Sequence, residues 1–226
     1  MRTLTPLEAR VLGVLVEKQH TVPDTYPLSL NALLAGCNQK SAREPVINAT
    51  EAEVLTAVDG LKSLSLVFEG SGSRVVRFEH NMARVYALPA ASVALLATLL
   101  LRGPQTAAEL RLHAERLHRF ADISSVEGFL DEMAAKEPPR VRKLPRAPGA
   151  REARWVHLLC GEPLLPAQVA GGQGGDGDGD AASVSAGELA ALKAEQARLA
   201  DELAQLRQWA QRVGAELGIE PPGLAP

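Results

Sequence analysis

Apolar positions in the first 161 residues fall into short runs with helical spacing, each opened by capping chemistry. Thr5-Pro6-Leu7-Glu8 joins a capping box to proline at the first helical position, and Leu7, Val11, Leu12 and Leu15 follow on one face. Tyr26-Pro27-Leu28 leads into a second helix, Ser29 to about Gly36, with Leu30, Leu33 and Leu34 directed inward. Thr50-x-x-Glu53 opens a third, carrying Val54, Val58 and Leu61. Strand-like runs at Leu66–Glu69 and Arg74–Phe78 then flank Gly70-Ser71-Gly72-Ser73, which predicts a β-hairpin with a flexible tip.

The order helix, helix, helix, hairpin recurs. Pro89 to Leu101 reads as a helix closed by Gly103-Pro104, and Thr106-x-x-Glu109 caps the next, with Leu110 and Leu117 inward. Asp122 or Ser124 begins a third, with Val126, Phe129, Leu130 and Met133 apolar; Val141 and Trp155–Leu159 make a second hairpin. Matching Val16 to Leu101, Leu33 to Leu110 and Val54 to Val126 gives offsets of 85, 77 and 72 residues. The falling offset describes a degenerate repeat whose first copy has longer loops. The expected fold class is mainly α with small β-hairpins: two tandem winged helix-turn-helix domains over 1–84 and 85–161.

A different pattern follows. Residues 162–184 include Gly171-Gly172-Gln173-Gly174-Gly175-Asp176-Gly177-Asp178-Gly179-Asp180, with almost nothing to bury, and read as a flexible linker. The alternating acids suggest a calcium loop, but the twelfth position from Asp176 is Gly187, where a bidentate glutamate is needed. Over 185–218 a heptad appears, opened by Ser185-x-x-Glu188 as a capping box. Leu189, Gln196, Leu203, Ala210 and Leu217 fall at a, and Leu192, Leu199, Leu206 and Val213 at d. Glu188 and Glu202 at g can face Lys193 and Arg207 at e of a second helix. This predicts a homodimeric coiled coil through Leu189, Leu192, Leu199, Leu203, Leu206, Val213 and Leu217; the competing reading is an amphipathic helix folded back on its own domain. Residues 219–226 read as a disordered tail.

Charge sharpens this division. The 226-residue chain carries a net charge of −3, but residues 1–161 hold 20 basic and 17 acidic side chains while residues 162–226 hold 4 and 10. A mildly positive body therefore precedes an acidic tail, and the chain is no basic nucleic-acid coat. Cys37 and Cys160 stand far apart without metal spacing, which argues against a disulfide framework or zinc ribbon. Val85 to Leu101 runs uncharged for 17 residues, but its proline, serine and threonine favour a buried helix over a membrane span. Acids at Glu8 and Glu17 come too early for a signal peptide, so a cytoplasmic location is expected, without membrane association.

Several of these segments together resemble the bacterial YceH family. They are Thr5–Gly13 with Glu17-Lys18, Tyr26–Asn31, Cys37–Ser41, Arg102–Thr106, Leu144-Pro145-Arg146-x-Pro148-Gly149 and Arg151-Glu152, spanning most of residues 4–161. The chain departs from that family's usual residues at Ala42, Glu44 and Ala107-Ala108. The resemblance implies tandem winged helices and supplies no activity.

No P-loop, HExxH, GxSxG or dinucleotide fingerprint is present, and His20, His80, His113, His118 and His157 lack a metal spacing. His113 and His118 are expected on divergent faces of one helix. Neither enzymatic activity nor a cofactor is expected. The basic residues point instead to phosphates. Arg140, Arg142, Lys143, Arg146, Arg151 and Arg154 crowd the second wing, Arg74 and Arg77 mark the first, and Lys40 and Arg43 precede its third helix. The competing reading pairs the arginines of the second wing with Glu79, Glu132 or Glu137. Asn38-Gln39-Lys40-Ser41 reads either as a brace for the long turn or as a ligand contact. Carboxylates on both third helices (Glu51, Glu53 and Asp59; Glu127, Asp131 and Glu132) oppose direct insertion into a groove. Two expectations follow: a DNA-associated regulator gripping duplex DNA through its wings, or a non-catalytic scaffold whose acidic helices engage a partner protein.

Overall fold

Reciprocal Thr–Glu capping starts three of the helices that build the core. In α1 (Pro6–Thr21) the Thr5 hydroxyl accepts from the Glu8 amide while Glu8 accepts from the Thr5 amide. The same exchange links Thr50 and Glu53 at α3 (Glu51–Ser63), and Thr106 and Glu109 at α6 (Ala107–His113). Asp122 and Ser125 repeat it at α7 (Ile123–Ala134), and Ser29 caps α2 (Leu30–Cys37). The computed structural model describes residues 2–70, 75–146 and 149–162, all within one compact unit. The linker, heptad and tail, with Leu189, Leu192, Leu199, Leu203, Leu206, Val213 and Leu217, lie outside the described residues, as does Arg74.

Among the described residues the protein is a mixed α/β fold of seven α-helices and two small antiparallel sheets. The first sheet has the order β1 (Leu28–Ser29), β3 (Arg77–His80), β2 (Val67–Gly70); Phe78 faces Leu28 on one side and Glu69 on the other. The second pairs β4 (Val141–Lys143) with β5 (Trp155–His157), placing Lys143 opposite Trp155. Two short elements carry too few residues to show a period: β1 and α4 (Met82–Tyr86). The chain leaves α4 through Ala87 in the left-handed region, at φ 49°, before α5 (Ala90–Arg102).

α5 takes up the uncharged run Val85–Leu101 only from Ala90 onward, since Val85 and Tyr86 belong to α4. It is 13 residues long and buried almost throughout, and no described helix is long and apolar enough to cross a membrane. Its principal neighbour is α1. Gly13 lets the two helices close, since a β-carbon there would stand 3.0 Å from Leu101 Cδ2. Leu12, Leu15, Leu95, Leu96 and Leu99 are fully enclosed, so α1 and α5 contribute to one continuous core. Backbone bonds fasten this core further: Leu4 N–H to the Leu159 carbonyl and Glu44 N–H to the Leu101 carbonyl, each 2.8 Å.

Candidate nucleic-acid interface

The basic second hairpin is fixed at its base and open at its tip. Trp155, only 2% exposed, anchors β5 in the core, and its backbone N–H and carbonyl pair with Gln105. Arg140 is half-buried at the root, its guanidinium 4.7 Å from the centroid of the Tyr86 ring, which makes it an anchor of the hairpin. Beyond it Arg142, Lys143, Arg146, Arg151 and Arg154 are all exposed, against Glu152. Gly149 turns the tip at φ 78°, a backbone state that other residues rarely adopt.

Three of the five exposed cations have carboxylate neighbours, though not the expected Glu79, Glu132 or Glu137. Arg142 pairs with Glu162, Lys143 lies 3.7 Å from Glu127, and Arg154 reaches Glu109 at 3.2 Å and the Pro104 carbonyl at 2.8 Å. Glu109 is held below the ordinary carboxylate range, first by the Thr106 amide and then, against its partial burial, by the charge of Arg154. These pairs are exposed, and each contributes on the order of 0–1 kcal/mol, so a phosphate can displace them. Arg146 and Arg151 have no carboxylate partner among the described residues.

The other expected contacts divide. Lys40 is exposed on its loop. Arg43 is the clear correction: its side chain is 0% exposed, doubly bonded to Glu17 at 2.6 and 3.1 Å and donating to the carbonyls of Gly36 and Ala42. It is a structural cation and cannot face phosphate. Arg77 is half-buried and donates to the carbonyls of Thr25 and Pro27, tying β3 to the loop before β1. Within Asn38–Ser41, the Asn38 amide exchanges two 2.8 Å bonds with the backbone of Ala49, and Gln39 donates to the Ser41 carbonyl. The loop is therefore a brace across the long turn. His113 and His118 do not share a helix: α6 ends at His113, and His118 packs edge-on against Phe120 with ring centroids 4.7 Å apart.

Charge density along the chain singles out residues 140–154 and passes over Arg116 and Arg119, both exposed on the turn between α6 and α7. Their signal is position, since that turn precedes the third helix of its half. Unlike α3, which exposes Glu51 and Glu53, α7 has no acid in its first helical turn, although its cap is Asp122.

These features define, among the described residues, a mixed α/β protein of seven α-helices and two small antiparallel sheets. The chain belongs to the family described as "Protein of unknown function, DUF480", which it matches over residues 4–150. It is 67% identical over 218 residues to a UPF0502 protein of Leptothrix cholodnii, covering 96% of this chain and 97% of that relative. It is also 66% identical over 220 residues to a UPF0502 protein of Burkholderia multivorans, covering 97% and 92% respectively.

Proposed function

We propose that this protein is a DNA-associated regulator built from tandem winged helix-turn-helix modules and dimerised through its C-terminal heptads. The observation that carries the reading is the β4–β5 hairpin, with five exposed cations around a projecting tip and no carboxylate partner for Arg146 or Arg151 among the described residues. Such a wing supplies backbone affinity without requiring either third helix to enter a groove.

Fluorescence anisotropy of labelled mixed-sequence duplex DNA tests this reading with the full chain. Replacing Arg142, Lys143, Arg146 and Arg151 together by glutamine is expected to weaken binding by at least about a hundredfold at low salt. Unchanged affinity in that variant, or no binding by the wild type, contradicts the reading. Sedimentation tests the dimer: Leu199→Lys with Leu206→Lys places charges in the heptad seam and is expected to turn a dimer into a monomer. A monomeric wild type contradicts the heptad reading.

One observation favours protein contact for the first half. Leu30, Leu55 and Val76 line a groove beside Glu51 and Glu69, and Leu55 and Val76 are 42% and 46% exposed. An apolar face bordered by two acids, with Arg77 of the same groove already donating to the Thr25 and Pro27 carbonyls, suits a basic or amphipathic protein segment better than phosphate. Leu55→Lys should leave duplex binding intact if this groove serves a protein.

A further inference from the structure

A cavity of about 480 Å³ lies where α1, the segment around residues 44–49, α5 and the stretch after β5 meet. Leu7, Ile47, Leu99 and Leu100 make much of its wall apolar. Its single arginine is Arg10, which is only 3% exposed. The guanidinium donates to two neutral backbone carbonyls, Cys37 at 3.3 Å and Pro45 at 2.6 Å, and its Nε has no partner among the described residues. No described carboxylate reaches ion-pair distance of it. The adjacent buried arginine, Arg43, engages Glu17. Burial and the charge of Arg43 both act against the charge on Arg10, while Cys37 and Glu44 favour it.

A buried cation bonded only to neutral groups calls for an anion. A second polar side chain borders the same space: His157 lines the cavity, and its buried Nδ1 has no hydrogen-bond partner among the described residues. The rim narrows the choice, because Glu44 and Glu53 also line the cavity and disfavour a multiply charged guest such as a phosphate ester. The guest that satisfies one guanidinium, one imidazole and apolar walls carries a single carboxylate on a hydrophobic body.

We infer that this cavity binds an apolar monocarboxylate, aromatic or branched, with its carboxylate directed to Arg10 and His157. The cavity takes in His157 at the base of the β4–β5 hairpin but none of that hairpin's exposed cations, and its occupancy is read without DNA.

Isothermal titration of the full chain with 2-naphthoate, and with 2-naphthamide as its neutral match in shape, tests the inference. Saturable binding of the naphthoate, at least about tenfold tighter than the amide, is expected. Arg10→Gln should remove that preference. Ile47→Trp, at a half-buried wall position that makes no side-chain hydrogen bond, should abolish binding by filling the space, with the circular dichroism spectrum unchanged. This second variant keeps the test decisive should Arg10→Gln fail to fold. Equal affinity for the two probes, absence of saturable heat with the naphthoate, or undiminished binding in Ile47→Trp overturns the inference.

Discussion

Replacing Arg43 by methionine is expected to lower the unfolding free energy by about 3–5 kcal/mol, the usual loss when one partner of a buried pair is removed. Methionine keeps much of the volume but leaves Glu17, 15% exposed, with Lys18 as its remaining cation at 3.1 Å. It also strands the Gly36 carbonyl, which accepts from Arg43 Nε at 3.1 Å. Burial alone would raise the Glu17 carboxyl; hydrogen bonds and charge from Arg43, with help from Lys18, bring it below its ordinary value. The double variant Arg43→Met with Glu17→Met should recover part of the loss, because it removes the stranded charge. Urea denaturation at neutral pH measures both, and a loss below about 1 kcal/mol for the single variant contradicts the assigned role.

Acid should destabilise the protein well before its carboxylates protonate. Burial brings His157 down to about 4 and His80 also to about 4, the latter aided by the charge of His20. His80 Nδ1 accepts the Met82 amide at 3.3 Å, and its Nε2 lies 2.7 Å from Gln19 Oε1, so protonation at Nδ1 breaks a native bond. Both folded values lie below the unfolded histidine value near 6.5. Between these limits the unfolded chain binds more protons than the native one, and stability therefore falls as pH falls. It is complete above about pH 6.5 and lost progressively toward pH 4, by on the order of 3 kcal/mol for each histidine. Below that range Glu17 and Glu8 add a further loss, since both are held below the ordinary carboxylate value; for Glu8 the leading cause is its hydrogen bond from Arg2. Denaturation midpoints at fixed pH measure the profile. His80→Gln with His157→Gln should flatten it between pH 6.5 and 4, and a wild-type profile already flat there contradicts the assignment.

What was legible in the chain was local. Thr5, Thr50 and Thr106 each announce a helix because the capping box closes over three residues, and each closes as read. The apolar stripes of α1, α3, α5 and α7 likewise contain the residues that fill the core. What escaped was set by distant contacts or by brevity. Arg43 looks like a loop cation until Glu17, on α1, is seen to close on it. Arg10 carried a signal: a charge among the inward positions of α1, where an unpaired ion is costly. The neighbours of the β4–β5 hairpin, Glu109, Glu127 and Glu162, lie from 16 to 45 residues from the cations they meet, beyond any pattern of spacing. The hairpin itself was legible, because a run of cations around Pro145 and Gly149 needs no tertiary partner to be recognised as an exposed turn.

The central claim, that the second wing holds DNA through phosphates, is tested most directly by the salt dependence of duplex binding. Anisotropy titrations from about 50 to 200 mM salt should give a straight fall of log Kobs against log salt concentration. Neutralising Arg146 and Arg151, the two exposed cations without described partners, should reduce the magnitude of that slope by about 2, roughly one for each lost phosphate contact. A slope identical in wild type and variant would contradict the account.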